Sequence, residues 1–336
     1  DQVMYYREDK KGQILEEGIN EAGAFASWIA AGSAYSSHGI NMIPFYIFYS
    51  MFGFQRIGDL AWAAGDMQVR GFLMGGTAGR TTLAGEGLQH QDGHSLLTAA
   101  TIPNCVAYDP TFAYELAVII HDGLRRMYQN QEHVFYYITV MNENYTHPAM
   151  PEGAEAGIVK GMYLFRDGGH KKRKVQLMGS GTILREVIAA ADMLKEDFDV
   201  AADIWSATSF NELRREGLDA ERWNTLHPEE EPRVSYVTEC LEGRAGPVIA
   251  ATDYMKTYAD QIRPFVPQNY KVLGTDGFGR SDRRSKLREF FEVDRRYVAV
   301  AALAALADEG TLDPAVVTQA IEKYGIDPNK PNPLMV

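Results

Sequence analysis

Cysteine is nearly missing. The 336 residues contain two, Cys105 and Cys240, far apart and without C-x-x-C spacing. That excludes a disulfide framework and a thiolate metal site, and it implies a reducing cytoplasm. Long apolar runs are missing too. The longest, Val298 to Ala307, lies between Arg295-Arg296 and Asp308-Glu309. It falls short of the roughly 18 residues that cross a bilayer and reads as a buried helix. Positive charge is in deficit, with 33 Lys and Arg against 45 Asp and Glu and a net charge of -12. Such a balance repels nucleic-acid backbones and anionic lipid surfaces. The opening stretch, Asp1 to Lys11, has no initiator Met, no signal-peptide apolar core and no Arg/Ser-rich transit composition. The expectation is a chain that starts partway through something longer: a fragment, a processed product or one piece of a nicked protein.

What is present is an ordinary globular composition, 46% apolar and 23% charged, enough for a sizeable core and about two domains. Short β-branched and aromatic runs alternate with segments of helical period, which predicts an α/β fold with parallel sheets. In the first half the pattern predicts helices near Asn20 to Ala34, Phe52 to Met67 and Thr111 to Met127. Strands are predicted near Met42 to Phe48, Gly71 to Met74, Cys105 to Tyr108 and Val134 to Val140. A Gly-rich loop runs from Gly75 to Gly93. The aperiodic, Pro-containing stretch Asn142 to Ala154 marks a linker, dividing the chain into domains 1–148 and 149–336. Beyond it, strands near Val175 to Met178, Ala201 to Trp205, Val248 to Ala251 and Lys271 to Leu273 alternate with helices. The last helix has Asp313 as N-cap, Pro314 in its first turn and Gly325 past its end.

Four stretches could carry chemistry. In Glu17-Gly18-Ile19-Asn20-Glu21-Ala22-Gly23-Ala24, Glu21 falls in the first turn of a helix, where the helix dipole favours an acid whether or not it has a function. Tyr46 to Arg56 is an unusually aromatic strand end and turn, which packing alone could explain. His90 and His94 stand four apart around Asp92, a spacing that raises a metal site. Gly93 breaks the helix that would align the imidazoles, and no third ligand is near in sequence. Gly274 to Asp282 tempts a nucleotide-binding reading, yet its glycines do not satisfy the dinucleotide fingerprint, and a structural role is expected.

The segment Gly85-Glu86-Gly87-Leu88-Gln89-His90-Gln91-Asp92-Gly93-His94-Ser95 closely resembles its counterpart in the homodimeric type of bacterial pyruvate dehydrogenase E1. The likeness extends through Asn41 to Tyr46, Met150 to Glu155, Ser206 to Phe210 and Ala251 to Lys256. It implies a partial pyrimidine-binding domain of the transketolase-like thiamine diphosphate enzymes, followed by a transketolase C-terminal-like domain that carries the Gly274 loop near the dimer contact. It further implies that Glu21 hydrogen-bonds N1′ of the cofactor's aminopyrimidine, making the 4′-nitrogen basic, and that Ile19 wedges between the two rings. Tyr49 and Phe52 would line the pyrimidine pocket and Glu86 the same cleft, while His90 would exchange protons when the acetyl group passes to a lipoyl dithiolane.

The departure from the family is one of extent. The resembling enzymes carry a Gly-Asp-Gly motif and a later asparagine that bind Mg²⁺ and through it the diphosphate, and no Gly-Asp-Gly occurs in this sequence. The expectation is that the chain alone binds thiamine diphosphate weakly and does not turn over, and that its first sheet lacks a strand. The implied partners are a second subunit, pyruvate, and the lipoyl and binding domains of dihydrolipoyl acetyltransferase, with no nucleic acid and no membrane. The competing readings are a non-catalytic dimerisation and docking module and a metal hydrolase built on His90, Asp92 and His94.

Overall fold

The computed structural model describes residues 7–336 and contains two sheets. The first comprises β1 (Phe45–Tyr49), β2 (Phe72–Gly76), β3 (Cys105–Tyr108) and β4 (Phe135–Thr139), all parallel in the order β1-β2-β4-β3. The second comprises β5 (Met162–Arg166), β6 (Lys174–Gly179), β7 (Ala201–Ala207), β8 (Val248–Ala251) and β9 (Tyr270–Leu273), in the order β5-β7-β6-β8-β9. Strands covered by helices on both faces have no side to give to water, so β3, β4 and β7 are buried throughout; β3 and most of β4 read as apolar or aromatic runs, while β7 also buries Asp203 and Ser206.

Most predicted elements appear within a few residues of their expected ends. The first helix is Glu21–Gly32, with the Asn20 side chain accepting from Gly23 N. The run from Val298 lies in the largely buried helix Arg295–Asp308. The last helix is Pro314–Lys323, capped by Asp313. Two features differ from expectation. Strand β5 pairs antiparallel with β7 and makes the second sheet mixed. The sequence pattern predicts the helix after β7 near Phe210 to Glu216, and it continues as Phe210–Leu226. Its second half is rich in charge, and only Gly217 and Ala220 are buried there. No helix is long and apolar enough to cross a membrane among the described residues.

Residues 140–151 carry neither helix nor strand, yet the two sheets are not loosely strung. One apolar cluster runs from Phe25, Leu73 and Leu96 through Phe210 and Tyr254 to Tyr270. Polar groups seal the same seam. Ser209 Oγ donates to Ala107 O at 2.6 Å, Asn211 Nδ2 to Leu96 O at 2.8 Å, and Asp109 N to Thr208 O at 2.8 Å. The buried Glu115 carboxylate accepts from Ser206 Oγ at 2.6 Å, Tyr163 OH at 2.7 Å and the Phe112 amide at 3.0 Å.

Asp109 is the exception among these buried acids. Its Oδ1 accepts from Thr139 Oγ1 at 2.6 Å and Tyr254 OH at 3.3 Å, whereas its buried Oδ2 has no partner. Burial, reinforced by the nearby Asp253 carboxylate, pushes its pKa up to about 7 against the pull of its hydroxyl partners. A folded-state pKa raised above the ordinary 3.8 contributes stability that is complete below that value and lost as pH rises through about 7. Asp109→Asn keeps the shape and cannot ionise. Urea unfolding of both proteins across the pH range should therefore show the wild type losing ground to the variant by up to roughly 4 kcal/mol between acid and mildly alkaline pH. A difference that does not vary with pH would refute a protonated Asp109.

Candidate active site

The site forms where β1 ends. Tyr49 closes the strand and serves as N-cap of the helix Ser50–Asp66, so no loop intervenes between strand and helix. Such a tight turn brings the helix back over its own strand, and a Cβ on Gly53 would collide with the Phe48 ring. Tyr49 and Phe52 end up edge to face, with ring centroids 6.3 Å apart. The helix is kinked at Ile57, beside Gly58, and Arg56 is the last residue before the kink. One turn beyond Phe52, its guanidinium lies 4.4 Å from the centroid of that ring.

Glu21 approaches from the opposite side. The Asn20 cap starts its helix, and Gly23 is needed because a Cβ there would press on Asn20 Nδ2 at 2.6 Å. Glu21 Oε1 accepts directly from Arg56 Nη1, and its side chain is 18% exposed. Together with Glu17 it makes this corner negative: burial first, then these two carboxylates, push the Tyr46 phenol up to about 12.

His90 arrives on the short 3₁₀ turn Leu88–His90 of the Gly-rich loop. Its ring stands edge-on to Phe52 at 4.9 Å and to Tyr49 at 5.6 Å. Its Nδ1 is buried without a hydrogen-bond partner. Glu21, Arg56, Phe52, His90 and Tyr49 are thus in unbroken contact, although they come from three separate stretches of chain. Ile19, 95% exposed, precedes the Glu21 helix, and Glu86 is half-buried on the histidine loop with its carbonyl accepting from Ser281 Oγ at 3.2 Å.

Asp92 and His94 serve other ends. Asp92 is fully buried just before the helix Ser95–Ala99, its Oδ1 accepting from His94 N at 3.0 Å and Ser95 N at 2.9 Å. His94 Nε2 lies 3.2 Å from Gln55 Nε2. Among the described residues no group of three His, Cys, Asp or Glu side chains is placed to hold a metal ion. The residue that sequence reading passed over is Arg56. It closes the aromatic stretch, and its position four residues after Phe52 on a helix was the signal for a cation over a ring.

Residues 1–148 match the family described as the pyruvate dehydrogenase E1 component middle domain, and residues 161–294 match the transketolase-like C-terminal domain. The pyruvate dehydrogenase E1 component of Pseudomonas aeruginosa is 70% identical over 99% of this chain, which spans 38% of that protein's length. Among solved structures, transketolase from Leishmania mexicana aligns with a TM-score of 0.66 at 16% identity, covering 87% of this chain and 37% of that one. A protein described as a split-gene transketolase, inactive β4 tetramer, aligns with a TM-score of 0.60 at 15% identity, covering 86% of this chain and 83% of its own. Each half is matched by one of these domain families, and nearly the whole sequence aligns with part of an E1 component: the chain joins a pyruvate dehydrogenase E1 middle domain to a transketolase-like C-terminal domain.

Proposed function

We propose that this chain supplies the aminopyrimidine-binding half of a thiamine diphosphate site in a pyruvate dehydrogenase E1. The whole enzyme decarboxylates pyruvate and passes the acetyl group to a lipoyl group of dihydrolipoyl acetyltransferase. The observation that carries this reading is the continuous contact of Glu21, Arg56, Phe52, Tyr49 and His90. A flat aromatic corner, a carboxylate at its side and a buried, unpartnered imidazole nitrogen suit a heteroaromatic ring with polar edges. When bound, the cofactor supplies the carbon nucleophile for the 2-oxo acid and an electron sink for the carboxyl that leaves.

Each residue then has a definable task. Glu21, at a helix N-terminus and beside Arg56, would accept a hydrogen bond from the pyrimidine's N1′. Tyr49 and Phe52 keep water from that bond and so strengthen it. Ile19 holds the two cofactor rings at an angle, and Glu86 lines the cleft. His90 gives a proton to the sulfur that leaves when a lipoyl disulfide takes up the acetyl group.

Among the described residues no group of three His, Cys, Asp or Glu side chains is placed to hold the magnesium, and a net charge of -12 opposes the anionic diphosphate. We therefore assign them to a further domain, in a homodimer whose site is shared between subunits, and expect the chain on its own to be inactive. Division into domains 1–148 and 149–336 and a cytoplasmic location belong to the same reading. One observation favours the second reading, a dimerisation and docking module. The open edge strand β1 exposes Phe45 (46%) and Ile47 (71%) on one face, next to the exposed Met42 and Ile43.

In the full-length protein loaded with cofactor, Glu21→Ala should lower decarboxylation by roughly 100-fold or more. His90→Ala should leave decarboxylation nearly intact and lower transfer to free lipoamide by about 100-fold. Normal cofactor-dependent turnover of the Glu21 variant would overturn the assignment. Sedimentation of the chain alone tests the exposed strand: self-association that Ile47→Lys abolishes is expected, and a monomer at all concentrations would contradict it.

A further inference from the structure

Past the end of β2 at Gly76, the Gly-rich stretch to Gly93 carries Glu86 and His90 but has no regular structure beyond one 3₁₀ turn. Gly79 and Gly85 adopt positive φ of 88° and 80°. A loop of this kind is costly to order, so whatever fixes it fixes the histidine. The ties come almost entirely from the second half of the chain.

At the near end, Asp253, two residues past β8, is fully enclosed. Its Oδ1 accepts from Thr81 N at 2.8 Å and Thr81 Oγ1 at 2.6 Å. Its Oδ2 accepts from Thr82 N at 3.1 Å and Thr82 Oγ1 at 2.6 Å. The Asp253 carbonyl also takes Arg80 N at 3.0 Å. A Cβ on Gly79 would collide with Asp253 Oδ2, so the glycine is required by the carboxylate as well as by its φ.

At the far end, Met255 N donates to Gly93 O at 2.9 Å, and Arg280 N donates to Gln91 Oε1 at 2.7 Å. Gln91 in turn donates to Leu83 O at 2.9 Å, lacing the two ends together. The segment between them, including Glu86 and His90, is half-buried or exposed. The Gly274 to Asp282 stretch, which no catalytic reading absorbs, is half of this clamp: Arg80 donates to Gly277 O, and Ser281 Oγ to Glu86 O.

We propose that Asp253 is a positioning residue for His90, through which the C-terminal half sets the geometry of the acyl-transfer step while leaving the Glu21 step alone. The inference rests on the proposed role of His90. Glu21 and Arg56 have no part in these bonds, and the helices that carry them precede the loop. After carbon dioxide leaves, a dye can accept the two remaining electrons, one per molecule, while water releases the acetyl group as acetate. With lipoamide, the acetyl group bonds to one sulfur as the S–S bond breaks, and the other sulfur takes a proton. Only the second route needs the histidine.

The test uses full-length enzyme saturated with thiamine diphosphate and Mg²⁺. Asp253→Asn puts an N–H donor where one threonine pair needs an acceptor. Gly79→Ala attacks the same contact from the loop side, and Thr82→Val removes a single hydroxyl should the first two fold poorly. The expected result is faster hydrogen–deuterium exchange at residues 80–93 with the sheet amides unchanged. Dye reduction should stay within about threefold of wild type, and transfer to free lipoamide should fall roughly 10- to 100-fold. Unchanged exchange in the loop would overturn the clamp. So would equal loss of both half-reactions, or intact lipoamide transfer in the variants alongside a His90→Ala protein that has lost it. If His90→Ala itself retains transfer, the role given to His90 fails, and the clamp is then decided by the exchange data alone.

Discussion

The ion pair between Glu21 and Arg56 holds together the carboxylate side of the candidate site. Glu21 starts one helix and Arg56 ends the first segment of another, so their contact locks the two helices at the point where both meet the end of β1. Arg56 also lies over Phe52, and Phe52 bears on His90. The glutamate side of the pair is 18% exposed and the arginine side 49%.

A second constraint lies deeper. The seam between the sheets is lined with acids rather than with apolar side chains alone, and burying a carboxylate is tolerable only when donors are supplied. Glu115 and Asp253 each collect several, all from fixed hydroxyls and backbone amides. Burial nonetheless holds both above the ordinary carboxylate range. Asp109, with one oxygen unpartnered, is pushed up to about 7. Directional bonds of this kind fix the relative placement of the two sheets more closely than apolar contact could.

Sequence reading recovered what periodicity encodes. Apolar runs located β3 and β8 to the residue, and cap signals located the helix after Asp313. It brought Tyr49, Phe52, His90 and Glu21 into consideration as site residues, and the structure gathers them in one place. What it missed depends on tertiary contact. Strand β5 becomes a strand only because β7 offers an edge. Asp253 stands in an unremarkable Ala-Thr-Asp-Tyr run, and its meaning lies in two threonines 171 and 172 positions away. Arg56 was legible in spacing as a partner for Phe52 but not for Glu21, which lies 35 residues earlier.

These contacts divide the site into parts of different origin. The carboxylate side is built from the helix beginning at Glu21, strand β1 and the helix beginning at Ser50, none of which depends on the second sheet for its contacts at the site. The histidine side is a loop with little structure of its own, shaped by residues following β8 and β9. Groups borne on regular elements hold their geometry through the hydrogen bonds of those elements. A group on a glycine-rich loop is only as well placed as its ties, and the cost of ordering it falls on whatever supplies them. In this chain that supplier is the second sheet's loops, so the C-terminal half has a direct physical bearing on one side of the site and almost none on the other.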